Sequence, residues 1–207
     1  MQAYTDREDT SLAAANTIAA ALDRRLSAAD RATLVVSGGS TPGGCLAALS
    51  EIDIDWSRVR VMLTDERCVP LDDPASNERM VRETLIRGRA REARFVPLVA
   101  GSLESLATTF AVALVGMGED GHFASLFPDL PDLATLSDVT AEPAVSQVST
   151  SASPVPRLTM NLAALARADE RILLVFGEAK RAIIEAPQGY PVEALLAQQP
   201  LTICWAP

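Results

Sequence analysis

One stretch concentrates the chemistry available to this chain. The apolar run Val112-Ala113-Leu114-Val115 stops at Gly116-Met117-Gly118-Glu119-Asp120-Gly121-His122, and His122 is the only histidine among 207 residues. Histidine is the side chain whose ordinary pKa lies near neutrality, so His122 is the natural candidate for a general base. Asp120, two residues earlier, can orient the ring or stabilise its charge. A glycine turn at the end of a buried strand is a common mount for such groups. A histidine hydrogen-bonded for purely structural reasons is the plainer alternative. The six residues from Gly116 to Gly121 also fit G-x-G-x-x-G, but a dinucleotide fingerprint should open a long helix. Here Pro128 closes a helix-compatible stretch of only 122–127, and carboxylates stand where a pyrophosphate would lie. A nicotinamide or flavin site is therefore disfavoured.

Three other clusters carry anion or sugar chemistry. Ser37-Gly38-Gly39-Ser40-Thr41 precedes Pro42 and a helical pattern. Glycines let N–H groups turn inward, the hydroxyls add donors, and a helix N-terminus favours an anion. The loop lacks the nucleotide P-loop pattern, and a tight turn without ligand is its alternative. Asp65-Glu66-Arg67 ends another apolar run. It offers a carboxylate for sugar hydroxyls and a guanidinium for phosphate, or else a surface ion-pair cluster. Arg157 and Lys180 flank further strands and are candidates for the same anion cluster. Lys180 is the single lysine among 18 basic residues. Compositional bias explains that as readily as a need for a compact ammonium. No serine stands in G-x-S-x-G, and one histidine with scattered cysteines makes a zinc site improbable.

The elements that must position these groups can be read from periodicity. Residues 10–29 are alanine-rich with apolar positions at helical spacing, and helices are also expected from Pro42 to Leu49, after Ser76, over 161–168, after Gly177 and over 191–197. Short apolar runs predict strands at 33–36, 59–64, 94–98, 110–115, 157–160, 171–176 and 201–204, and alternation predicts one at 144–148. Residues 102–109 carry only a weak helical pattern. Residues 128–143, punctuated by prolines, read as a loop with one short helical turn. Strands alternating with helices predict an α/β fold: a single domain over 1–207 with a Rossmann-like, open, mostly parallel sheet and helices on both faces. In such sheets the carboxyl ends of the strands face the site, so the clusters at 37–41, 65–67, 116–122 and near 177–180 should converge on one edge.

Composition narrows the partners. A net charge of −9 argues against nucleic-acid binding. No run of 18 apolar residues and no leader-like start is present, so a cytoplasmic location without membrane insertion is expected. Cys45, Cys68 and Cys204 are odd in number and widely spaced, which disfavours a disulfide framework.

Several blocks in order resemble one family. They are Leu34-Val35-Val36-Ser37-Gly38-Gly39-Ser40-Thr41-Pro42; Thr64-Asp65-Glu66-Arg67 with Val69-Pro70 and Ser76-Asn77; Gly116 to His122 with Ala124-Ser125-Leu126-Phe127-Pro128; Pro156-Arg157-Leu158-Thr159; and Gly177-Glu178-Ala179-Lys180. From about residue 10 to the C-terminus the chain looks like 6-phosphogluconolactonase, within the group that includes glucosamine-6-phosphate isomerase/deaminase. The resemblance implies hydrolysis of 6-phospho-D-glucono-1,5-lactone in the pentose phosphate pathway, without metal or organic cofactor, the partner being the sugar-phosphate substrate. The sequence does not give the oligomeric state, for which a monomer is the expectation. The resemblance also implies that Gly38, Gly39, Ser40 and Thr41 with Arg67 and Lys180 hold the phosphate, Arg157 assisting. His122 would activate water. Asp65 and Asp120 would orient the sugar or the histidine, and Gly118 would lie against the substrate.

The rival isomerase/deaminase carries a sequence ending Asn-Glu-Pro where this chain has Leu126-Phe127-Pro128, so its proton-transfer glutamate is missing here. A non-catalytic sugar-phosphate sensor is the other alternative. Against the family pattern, Phe123 replaces a threonine, Ala111 replaces an aspartate, and 98–110 looks shortened.

Overall fold

The computed structural model describes residues 1–99, 103 and 109–207. In chain order the elements are β1 (Gln2–Ala3), α1 (Arg7–Ala28), β2 (Ala32–Val36), α2 (Ser40–Leu49), β3 (Val59–Leu63), β4 (Asp65–Arg67), α3 (Asn77–Thr84), β5 (Arg94–Phe95), β6 (Phe110–Val115), α4 (Leu133–Leu136), β7 (Val145–Val148), β8 (Arg157–Met160), α5 (Leu162–Leu165), β9 (Ala168–Phe176), α6 (Glu178–Glu185), α7 (Val192–Leu196) and β10 (Leu201–Ala206). Short 3₁₀ turns precede β3 and β5. Most of the weak helical pattern at 102–109 and of the short 98–110 segment lies outside the described residues.

Among the described residues seven strands form a parallel sheet in the order β1-β10-β9-β6-β2-β3-β5. β2 and β6 are buried along their whole length, which is why they read as unbroken apolar runs rather than alternating ones. Helix α1 starts where the Asp6 carboxylate accepts the N–H groups of Glu8 and Asp9, and it lays Ala14, Ala15, Ile18, Leu22 and Leu26 on the sheet. Each fully buried leucine or isoleucine of this kind contributes roughly 1.5–3 kcal/mol of transfer free energy.

The chain leaves β2 toward β3 in one direction and leaves β6 toward β9 in the other. Right-handed crossovers then put α1, α2 and α3 on one face and the segments after β6 and β9 on the opposite face. β2 and β6 are neighbours, with Leu34 beside Val112 and Val36 beside Leu114. Their carboxyl ends form the switch point of the sheet, where the outgoing chains part and leave a crevice.

The small second sheet was not expected. Asp65-Glu66-Arg67 does not finish β3; it forms β4, edge strand of an antiparallel sheet ordered β4-β8-β7. Thr64 is the joint: its N–H donates to Val36 of the main sheet, and its carbonyl accepts the Met160 N–H of the small one. The strand expected at 94–98 shortens to β5, and the helix expected over 161–168 shortens to α5. Asn161 caps α5 through a 2.9 Å bond from the Ala164 N–H, and the chain is already extended again at Ala168. Cys45, Cys68 and Cys204 are free, and Cys45 and Cys204 are buried. Burial pushes the Cys45 thiol up to about 12.

Candidate active site

At the switch point Ser37 continues the ladder, its N–H donating to Leu114 at 2.9 Å. Its hydroxyl lies 2.9 Å from the Thr64 hydroxyl and accepts the Gly116 N–H at 3.3 Å. One serine thereby ties together the ends of β2, β3 and β6. Gly38 then passes so close to Asn77 that a Cβ there would lie 1.9 Å from Oδ1. Only glycine fits this crossing. Gly39 occupies the N-cap position of α2, and among the described residues no side chain caps that helix. The N–H groups of its first turn are left for an anion.

Strand β4 sorts its three residues by the period of two. Asp65 and Arg67 face the crevice, and Glu66 faces away. The Glu66 carboxylate accepts the N–H groups of Arg67, Asn77 and Glu78 at 2.7 Å each, so it caps α3 and fixes the loop that carries Arg67. Asp65 is buried; its two oxygens accept the Thr64 hydroxyl at 2.9 Å and the Ser125 hydroxyl at 2.6 Å, and Arg157 Nη1 lies 3.7 Å from Oδ2. Asn77 braces the strand by donating to the Asp65 carbonyl at 2.7 Å.

Arg67 and Arg157 are directly paired across β4 and β8. Like charges in cross-strand positions disfavour the sheet unless something negative compensates them. Burial lowers the Arg157 pKa from its ordinary value, and the Arg67 charge lowers it further, against the opposing pull of Asp65 and Glu66. Two partly buried guanidinium groups thus face one crevice, with the Asp65 carboxylate between the strands and the Glu66 carboxylate turned away into a helix cap.

The turn after β6 folds back on itself through a Gly118 N–H bond to the His122 carbonyl at 2.9 Å. His122 Nδ1 lies 2.5 Å from Asp120 Oδ1. When Nδ1–H donates to that carboxylate, Nε2 is the lone-pair nitrogen. A Cβ on Gly118 would stand 2.2 Å from Nδ1, so this glycine makes room for the imidazole. The ring stacks on Phe127, with centroids 4.1 Å apart.

Gly38, Gly39, Ser40, Thr41, Asp65, Arg67, Gly118, His122 and Arg157 line one cavity of about 190 Å³. Asp120 joins it through His122. Lys180 does not line this cavity. It lines a neighbouring cleft that shares Ser40 and Thr41 and also holds Glu119. Phe123 is fully buried away from the cavity, and Ala111 is buried within β6. Ser37, read from the sequence as the first residue of the 37–41 anion loop, instead joins the strand ends. Asn77 and Phe127 are not expected as site residues from the sequence, although both stand inside the recognised blocks. Among the described residues no three His, Cys, Asp or Glu side chains cluster as metal ligands, and no helix is long and apolar enough to cross a membrane.

The chain is similar to known proteins along almost its whole length. The family model for glucosamine-6-phosphate isomerases/6-phosphogluconolactonase matches residues 5–204. A 6-phosphogluconolactonase of Caulobacter vibrioides is 38% identical over 228 aligned positions, covering 100% of this chain and 97% of the relative. One from Pseudomonas aeruginosa is 39% identical, covering 92% of this chain and 87% of its own. The crystal structure of a 6-phosphogluconolactonase from Shewanella baltica superposes with a TM-score of 0.91 at 31% identity, covering 100% of this chain and 97% of that one. The chain belongs to the family of glucosamine-6-phosphate isomerases and 6-phosphogluconolactonases.

Proposed function

We propose that this chain hydrolyses 6-phospho-D-glucono-1,5-lactone to 6-phospho-D-gluconate, the lactone step of the oxidative pentose phosphate pathway, with His122 as general base. The observation that carries the reading is the Asp120–His122 pair opening onto the same cavity as a capless helix N-terminus and two arginines. Nε2 takes a proton from water as its oxygen attacks the lactone carbonyl. The Gly116 and Gly118 N–H groups are spent on Ser37 and His122, so oxyanion support falls to other N–H groups lining the cavity. Collapse breaks the bond to the ring oxygen, which takes the proton back from the imidazolium. The phosphate sits over the 37–41 loop, between Arg67 and Arg157 on one side and Lys180 reaching from the adjoining cleft. The enzyme acts as a cytoplasmic monomer and uses neither metal nor organic cofactor.

Phe127 disfavours the isomerase/deaminase alternative, because a phenyl ring relays no proton. The test is to generate the lactone in situ and follow its loss above the spontaneous rate. The reading expects acceleration by wild type and a kcat loss of roughly 10²–10⁴-fold in His122→Ala. No acceleration at micromolar protein sinks it. Thermal stabilisation by 6-phosphogluconate without turnover would favour the sensor alternative.

A further inference from the structure

We propose that Phe127 is a positioning residue, a shared stacking platform that holds both the base and an anion-binding arginine in register. This rests on the reading of His122 as base, and it begins from a backbone irregularity. Ala124 has φ +48°, in the left-handed region that costs a non-glycine residue roughly 1–2 kcal/mol. It forms the corner of a turn in which the Leu126 N–H donates to the Phe123 carbonyl at 3.0 Å. The turn returns the chain upon itself, so Phe127 comes to lie under His122 five residues before it.

What holds the strained corner is buried. The Ser125 hydroxyl donates to Asp65 at 2.6 Å, and the Ser125 N–H donates to the Thr159 hydroxyl at 3.1 Å. Asp65 is also the carboxylate beside Arg157, and the Arg157 guanidinium carbon lies 5.1 Å from the Phe127 ring centre. The interactions close a circuit: imidazole on phenyl ring, ring against guanidinium, guanidinium beside Asp65, Asp65 to Ser125, and Ser125 two residues along the chain from Phe127. The Asp120 hydrogen bond fixes one edge of the imidazole but leaves it free to rock about that contact. The nearly parallel phenyl ring, 26° off plane, removes that freedom. Phe127 is 3% exposed, so its own orientation is set by packing.

The test uses the intact protein and exploits its single histidine, whose ring signals need no assignment by mutagenesis. In wild type the His122 ring protons lie over the phenyl face and should resonate upfield of a free imidazole. Phe127→Leu should move them downfield, lower kcat by about 10- to 100-fold, the scale of a slightly misplaced catalytic group, and raise KM about fivefold, the scale of one partly desolvated cation–π contact. Phe127→Tyr keeps the ring and should restore all three readouts. Phe127→Met carries the same test should the leucine variant not fold. Wild-type histidine signals at free-imidazole positions overturn the proposal. So do kcat and KM within about twofold of wild type in a folded ringless variant. A wild-type protein with no lactone hydrolysis but shifted histidine signals would leave the stack standing and remove the base reading instead.

Discussion

Replacing Asp120 with asparagine isolates what the carboxylate does for the base. Asparagine is nearly isosteric, so the Gly118–His122 turn and the cavity keep their shape. The negative charge that faces Nδ1 at 2.5 Å is lost. While His122 is neutral, an amide oxygen can accept from Nδ1–H almost as well. Once the ring holds the proton taken from water, the charge-assisted bond is missing. Such bonds are worth roughly 1.5–3 kcal/mol. Asp120 is 39% exposed, so solvent screening puts the value near the low end. A loss of about 1.5 kcal/mol predicts a kcat about tenfold below wild type. KM should stay within about twofold, because Asp120 does not line the cavity that holds the anion-binding groups. The assay is initial-rate loss of lactone generated in situ, with the spontaneous rate subtracted at each pH. Because the two residues act as a unit, Asp120→Asn combined with His122→Ala should be no slower than His122→Ala alone. A single variant with wild-type kcat refutes the argument. So does a double variant a further tenfold slower, because Asp120 would then act on the substrate and not through the imidazole.

Two further outcomes follow from other parts of the molecule. Gly118→Ala should abolish most activity while leaving the far-ultraviolet circular dichroism spectrum intact, because the new methyl meets the imidazole at 2.2 Å; an active alanine variant would show that the ring has other room. Asp129 is held at about 2 by the Thr150 hydroxyl and by the N–H and hydroxyl of Ser151. Its folded pKa lies below the ordinary 3.8, so its contribution is present in full above that value and is lost as pH falls through about 2. The Tm of wild type should therefore drop more steeply between pH 4 and 2 than that of Asp129→Asn; parallel curves would show that the carboxylate contributes nothing there.

The alternation of helices and parallel strands could be read because burial on both faces leaves unbroken apolar runs, as in Val112-Ala113-Leu114-Val115. Helix ends could be read where a side chain marks them, as at Ser76. The second sheet could not. Nothing at Thr64 announces a break, and β4 is only three residues long. For the same reason Asp65, Glu66 and Arg67 read as one cluster, although Glu66 serves a helix cap and its neighbours face the cavity. Phe127 escaped notice because its approach to His122 depends on the left-handed backbone at Ala124, and alanine carries no signal of that conformation. Lys180 was expected beside Arg67, but the projecting start of α2 separates their two hollows.

The antiparallel pairing of β4 with β8 sets Arg67 against Arg157 and Asp65 against Thr159. Since a strand's residues alternate between faces, the parity of these positions decides which side chains reach the pocket. A substitution at Glu66 weakens a helix cap. Deleting Asp65 would turn the cap's carboxylate into the anion pocket and the arginine out of it. As this chain diversifies, a substitution in the segment loses one contact at a time, whereas a one-residue deletion exchanges the faces of two side chains in a single step.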